Sequence, residues 1–377
     1  MTREAEYLIR CVSAVMHQTS APTPPEGLDW KDLTRLAAQQ SMANLLCYAV
    51  EGLELPPEVA EKLRELKNKA ILREATQEME LRAIRAAFSE KGIRFMPLKG
   101  VFLKTLYPRP DLRVMSDIDI LFDANDRDAV QESMVSLGYT VKDFALGVTD
   151  VYQKAPIMNL EMHTELVDHP ERWRKHFAHI WDAATLTGTC EFAMSHEDFY
   201  VFFLAHLVKH YANCGTGVRS ILDLWVCRHK IPYDEAVVSA RLEELGILEF
   251  VRNIEALAEV WFGEGTATPL LEEIGEFILS GGTFGNRTTA AMARGTKGDY
   301  FLRRLFLRRE VMEGVYPILK KAPILLPACW AHRFVKKIFR PGLISDEIHI
   351  LATADGDKAA ALQAFHKRAG LSETYDE

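Results

Sequence analysis

Cysteine is scarce in this 377-residue chain: Cys11, Cys47, Cys190, Cys214, Cys227 and Cys329 are scattered, with no CxxC pair. That scatter argues against a disulfide framework and a structural zinc site, and makes a reducing cytoplasm the expected location. Positive charge is in deficit, with 45 Lys and Arg against 53 Asp and Glu and a net charge of −8. No general attraction to a polyanion follows, which excludes a nucleic-acid coat and argues against a template-directed polymerase. Long apolar runs are missing too. The longest uncharged one, Ala322 to Ala331, contains Pro323 and Pro327 and is about half the ~20 residues needed to cross a bilayer. The opening MTREAEYLIRCVSAVM sets Arg and Glu before a short apolar stretch without a small-residue cleavage site, so no signal peptide is expected. Walker A, GxGxxG, GxSxG and HExxH are all absent.

What is present is ordinary globular material, 48% hydrophobic and 26% charged, long enough for two or three domains. Residues 4–16 and 30–51 read as helices separated by the TSAPTPPEG loop, and Pro56-Pro57 opens a long amphipathic helix ending near Gly92. The pattern then changes. Ile93–Leu98 and Ile118–Phe122 are apolar runs of strand length around a helical stretch, Val101–Tyr107. A helix from about Asn125 to Leu137 is closed by Gly138, and Thr140–Phe144 and Ile157–Glu165 are further strand candidates. From 171 to 280 the periodicity is helical, with starts at Ser195, Gly217, Tyr233 and Thr268. The expected division is a helical region 1–92, an α/β core 93–170, a helical domain 171–280 completing a cleft, and a C-terminal helical region 281–377 whose tail from Gly356 frays. Within that last region, 300–340 holds ten basic residues against two acidic ones. It reads as a solvated basic face, a peripheral membrane contact being the lesser alternative.

Asp117-Ile118-Asp119 is the most informative tripeptide, because on a strand its two carboxylates leave one face while Ile118 enters the core. A pair of like charges flanked by Val114, Met115, Ile120, Leu121 and Phe122 is either exposed at a strand end or neutralised by a divalent cation. Mg²⁺ suits the hard oxygen donors when substrate phosphates complete its shell, with Mn²⁺ as an alternative. Upstream, Pro97-Leu98-Lys99-Gly100 ends a strand and opens a helix, a place to hold phosphate, and Arg113 is available for a bidentate phosphate contact. Downstream, Asn159, Glu161 and His163 alternate with Met158, Leu160 and Met162, so the three polar residues share one strand face. His206 and His210, four apart on a helix, either face the same cleft or bond at a helix interface; a zinc helix is disfavoured by Lys209 beside them.

The run LKGVFLKTLYPRPDLRVMSDIDILF, a helix ending in LGY, and then NLEMHTEL resemble the poorly characterised bacterial nucleotidyltransferase family of the DNA polymerase β-like superfamily. The resemblance is strongest over 93–166 and weaker through HLVKH and RSILDL to about 230. It implies an α+β fold, a nucleotidyltransferase-type mixed sheet with helices embedded in a largely helical chain. It also implies a metal-dependent enzyme that moves a nucleoside monophosphate from an NTP, ATP among them, to a hydroxyl or amino group of a small-molecule, sugar or protein acceptor. Asp117, Asp119 and Glu161 become the candidate metal ligands and catalytic residues. Lys99, Gly100, Arg113, His163 and His210 become candidate nucleotide contacts, and Arg219 and Asp223 could touch nucleotide or acceptor. The superfamily's common turn is Gly-Ser; here Lys99-Gly100 stands there, and a lysine charge takes the place of the hydroxyl. The competing class is a non-catalytic nucleotide-binding or protein-interaction module that keeps the fold.

Overall fold

The computed structural model describes residues 1–145, 147–168, 170–283, 318–338 and 356–371, together with Phe306, Arg309, Met312 and Tyr316. Residues 318–338 of the basic segment 300–340 are described and include the helix Leu326–Ile338, whereas most of the loop read at 281–287 lies outside the described residues.

Helix α1 (Arg3–Met16) starts where the Thr2 hydroxyl accepts from the Ala5 N–H, and α2 (Trp30–Gln39) is capped in the same way by Asp29. The single helix expected over 30–51 is divided. Ser41 takes a φ of 55°, and the chain restarts as α3 (Ala43–Ala49). α4 (Pro57–Lys91) runs for 35 residues, from a proline in its first turn to Gly92, whose φ of 70° stops it in the left-handed conformation.

The sheet follows: β1 (Phe95–Pro97), the one-turn helix α5 (Gly100–Leu103), β2 (Ile118–Phe122), α6 (Arg127–Ser136), β3 (Thr140–Asp143), β4 (Thr149–Lys154) and β5 (Met158–His163). Its order is β1-β2-β5-β4-β3, with β2 and β5 parallel and the remaining neighbours antiparallel. Ile118, Ile120 and Phe122 of β2 and Leu160 and Met162 of β5 pack on Leu81, Ile84 and Phe88 of α4 and on Val130 and Met134 of α6. Each fully buried side chain of this size contributes about 1.5 to 3 kcal/mol, so this apolar face fixes which residues the opposite face presents. Asp119, Glu161 and His163 are on that opposite face.

β4 is absent from the sequence-based expectation. Its inward position 150 holds an aspartate, fully buried and ion-paired with Arg127 at 2.9 Å, which breaks the apolar alternation. The helix expected over 101–107 is only α5 followed by a 3₁₀ turn, Lys104–Leu106.

Beyond the sheet come α7 (Glu171–Phe177), α8 (Ile180–Ala183), the two-residue strands β6 (Thr185–Leu186) and β7 (Phe192–Ala193), α9 (His196–Cys214), α10 (Val218–Lys230), α11 (Glu235–Leu245), α12 (Leu248–Phe262) and α13 (Pro269–Gly281). Ser195, Gly217 and Thr268 stand at the expected N-caps, whereas α11 begins after Asp234. One apolar cluster joins α1–α3 to α9, α10, α12 and α13 and reaches Met96, Leu98 and Leu121 of the sheet. The tail departs from its expected fraying: Gly356–Arg368 is a helix, and Phe365, Ala369 and Leu371 are buried in that cluster. Asn253 Nδ2 donates to the Ala369 carbonyl, and a Cβ on Gly370 would lie 2.6 Å from the Phe250 nitrogen, so the contact needs glycine there.

A buried ion pair ties the sheet to the helices. Arg113 donates through Nε and Nη2 to Asp223 of α10 at 2.8 and 3.0 Å, and the Tyr107 hydroxyl donates to the same carboxylate at 2.7 Å. Removing one member strands the other charge in a dry site, at a cost of about 3 to 5 kcal/mol. Asp223→Ala is therefore expected to lower stability by about that amount in urea unfolding. Arg174→Ala, at the exposed pair with Glu165, should lose under about 1 kcal/mol. Equal losses would contradict this ranking.

Candidate active site

The polar face of β2 and β5 forms one wall of a cleft of about 320 Å³; the facing wall comes from α9 and the start of α10. Parallel pairing sets Asp119 directly beside Glu161. Asp119 is only 12% exposed, and both its oxygens are engaged. Lys99 Nζ is 3.1 Å from Oδ2 and His163 Nε2 is 2.9 Å from Oδ1. Burial pushes this carboxyl up, but the Lys99 charge and the His163 contact outweigh it and hold the group far below the ordinary carboxylate range. Glu161 goes the other way. Its burial comes first, then the charges of Asp119 and Asp117, and together they raise it.

Lys99 has a φ of 29°, a conformation that costs a residue with a side chain about 1 to 3 kcal/mol. What it gains is position: Nζ sits between Asp119 and His206, 3.2 Å from the histidine's Nε2. Burial, then the Lys99 charge, pushes the His206 ring well below its usual pKa, so it faces the ammonium as a neutral acceptor. Gly100 follows because nothing larger fits; a Cβ would lie 2.6 Å from Met115 Sδ and 2.9 Å from Arg113 Nη1. The helix it opens is a single turn, too short for a macrodipole, so the positive charge at this turn is that of Lys99.

The structure brings Lys99, Gly100, Arg113, Asp117, Asp119, Glu161 and His210 to the lining of one cleft, with His163 against Asp119 at its edge. Three details differ from the sequence-based picture. The Arg113 guanidinium, read as available for a bidentate phosphate contact, is held bidentately by Asp223, and Asp223, read either as a ligand contact or as a polar residue bonded at a helix interface, is held by Arg113 and Tyr107. Asp117 lies just before β2 rather than on it and accepts from the Ser116 hydroxyl at 3.1 Å. Among the described residues, the group that could hold a metal ion is Asp119, Glu161 and His163, whose donor atoms all lie within 4.8 Å of one another. His210 stacks edge-on against His206, ring centroids 4.4 Å apart, on the cleft side of α9.

Sequence reasoning missed Thr149, whose hydroxyl is 3.1 Å from His163 Nδ1. Pairing across β4 and β5 puts it there, and only recognition of β4 would have found it. A divalent cation fits the residues present: two carboxylates and an imidazole converge, and Glu161 has no Lys or Arg within 4 Å among the described residues.

A mixed five-stranded sheet in a helical chain, with an Asp-x-Asp segment and a later carboxylate on its cleft face, defines an α+β fold of nucleotidyltransferase type. A family model described as an uncharacterised nucleotidyltransferase matches residues 26–263; the chain belongs to that family and is a nucleotidyltransferase. Among solved structures, the solution structure of the antibiotic-resistance factor ANT(2'')-Ia matches at 15% identity and a TM-score of 0.33, over 47% of this chain and 96% of that one. No curated protein matches significantly. Among the described residues, no helix is long and apolar enough to cross a membrane.

The opposite shifts of the two carboxyls give opposite stability effects. A carboxyl whose folded pKa is depressed contributes stability that is present above the unfolded value, about 3.9, and is lost as pH falls through the folded value. In metal-stripped protein, Asp119→Asn should therefore lower Tm at pH 7 and flatten its fall below about pH 4. Glu161→Gln, by removing a charge its surroundings disfavour, should raise Tm at pH 7. Calorimetric scans from pH 2 to 8 check both signs.

Proposed function

We propose that this chain transfers a nucleoside monophosphate from an NTP to a hydroxyl or amino group of a small-molecule, sugar or protein acceptor, with Mg²⁺ or Mn²⁺ as cofactor. The observation that carries the reading is the pairing of Asp119 and Glu161 on adjacent parallel strands, beside the Lys99 ammonium, in one cleft.

A divalent cation held by the carboxylates of Asp119 and Glu161, with Asp117 at the cleft wall, would offset phosphate charge and lower the pKa of an acceptor hydroxyl. Asp119 is ionised at any working pH because Lys99 and His163 favour its anion. Glu161, open to the cleft, would either help hold that cation or, where it is not bound to the ion, accept the acceptor's proton. Lys99 supplies positive charge to the phosphates, with His206 holding the ammonium at the cleft. Arg219 adds a second cation. It is spent only on the Val114 carbonyl at 3.1 Å and has no carboxylate within 4 Å among the described residues, so its remaining N–H donors are open to phosphate. Arg113 acts from behind, fixing the segment that leads into Asp117.

The test is transfer of α-labelled NTP to a panel of polyols, amino sugars and extract proteins, with pyrophosphate release as the rate. Glu161→Gln should lower kcat by about 10²- to 10⁴-fold, the range for loss of a general base. Asp119→Asn should abolish turnover, and equal rates for wild type and Asp119→Asn would remove the assignment. Binding of Mg²⁺-NTP without transfer to any acceptor would favour the non-catalytic class.

A further inference from the structure

His163 has two faces, and both are engaged. Nε2 points at Asp119 Oδ1, 2.9 Å away, and lies 3.9 Å from Glu161 Oε2; Nδ1 faces the Thr149 hydroxyl at 3.1 Å. Strand register produces the second contact, since Thr149 and His163 are directly paired across β4 and β5. Without an ion, Nε2–H donates to Asp119; a cation at the carboxylates would displace that proton, and in the Nδ1–H tautomer the threonine hydroxyl accepts from Nδ1 while the Nε2 lone pair is directed between the two carboxylates.

We propose that His163 Nε2 is a nitrogen ligand of a divalent cation held with Asp119 and Glu161, that Thr149 is the outer group orienting the ring, and that the site prefers Mn²⁺ to Mg²⁺. The proposal rests on the transfer reading for the location of the ion, but not for its chemistry. With no ion bound, the 2.9 Å contact from Nε2 to Oδ1 is a hydrogen bond, and it already holds the two atoms at about the 3 Å separation that adjacent ligands on bonds of about 2.1 Å would need. Glu161 Oε2 is farther out, but this carboxylate is 36% exposed and can turn toward the ion. Asp117 is outside the group, so the ion is held by two oxygens and a nitrogen rather than by three oxygens. Mg²⁺ favours oxygen donors and parts reluctantly with its waters, whereas a transition ion accepts imidazole readily. The one nitrogen in the set is therefore the feature that discriminates between them.

The experiment uses the full chain and Mn²⁺ alone. Electron paramagnetic resonance of free Mn²⁺ gives the affinity, and pulsed measurements detect ¹⁴N coupling from a bound ring. Wild type should show ¹⁴N coupling and bind Mn²⁺ more tightly than Mg²⁺ in competition. His163→Gln should lose the coupling and weaken Mn²⁺ binding about 10- to 100-fold, with a much smaller change for Mg²⁺. Thr149→Val keeps the ring, so it should keep the coupling while weakening Mn²⁺ by about 10-fold, the lower end for outer-group substitutions. Bound Mn²⁺ without ¹⁴N coupling, or unchanged affinity in His163→Gln, overturns the proposal and leaves the transfer reading standing. Mn²⁺ affinity unchanged in Asp119→Asn would place the ion elsewhere and overturn both.

Discussion

The cleft depends on the carboxylate of Asp223. One buried aspartate on α10 takes two N–H groups from Arg113 and a hydroxyl from Tyr107, so the segment between α5 and β2 is fastened to the helical wall that faces it. That fastening adds to the Lys99–His206 contact, the Arg219 bond to the Val114 carbonyl and the shared apolar cluster in setting the separation of the two walls. A salt bridge this deep gains little net energy over an apolar replacement; what it supplies is a defined geometry for the two walls.

Asp119 is held in a similar way, but for a different end. Its position is over-determined by Lys99 and His163, and Lys99 in turn is held by a backbone conformation that side chains seldom adopt and by a neutral His206. Strain and like-charge crowding are therefore concentrated within a few residues, while Ile118, Ile120 and Phe122 on the opposite face of the same strand supply the apolar burial that tolerates them. One face of the strand supplies its burial, and the other presents Asp119 to the cleft.

Much of this could be read from the sequence, for physical reasons that mark its limits. Alternation with a period of two showed that Asn159, Glu161 and His163 share a strand face opposite buried neighbours and set Asp119 opposite Ile118 and Ile120, while Asp117 reaches the same cleft from just before β2. Helix starts at Ser195 and Thr268 could be read because capping chemistry is local. What escaped was non-local or disguised. The partner of Arg113 lies 110 residues away, which no pattern reveals. β4 hid because its inward position is an aspartate whose counter-ion is on another element. The terminal helix near Phe365 looked frayed because its order comes from packing on α12 rather than from its own periodicity.

The parallel register of β2 and β5 has one more consequence. The gap between Asp119 and Glu161 is inherited from the backbone, about 4.8 Å between neighbouring strands, and not from the side chains chosen to stand there. Exchanging Glu for Asp at such a position changes reach but not spacing, while inserting a single residue into β5 would turn Leu160 or Met162 toward the cleft and Glu161 into the core. Within this chain, the turns that flank the strand can change length without moving Asp119 and Glu161 apart, and the strand itself serves as the ruler between them.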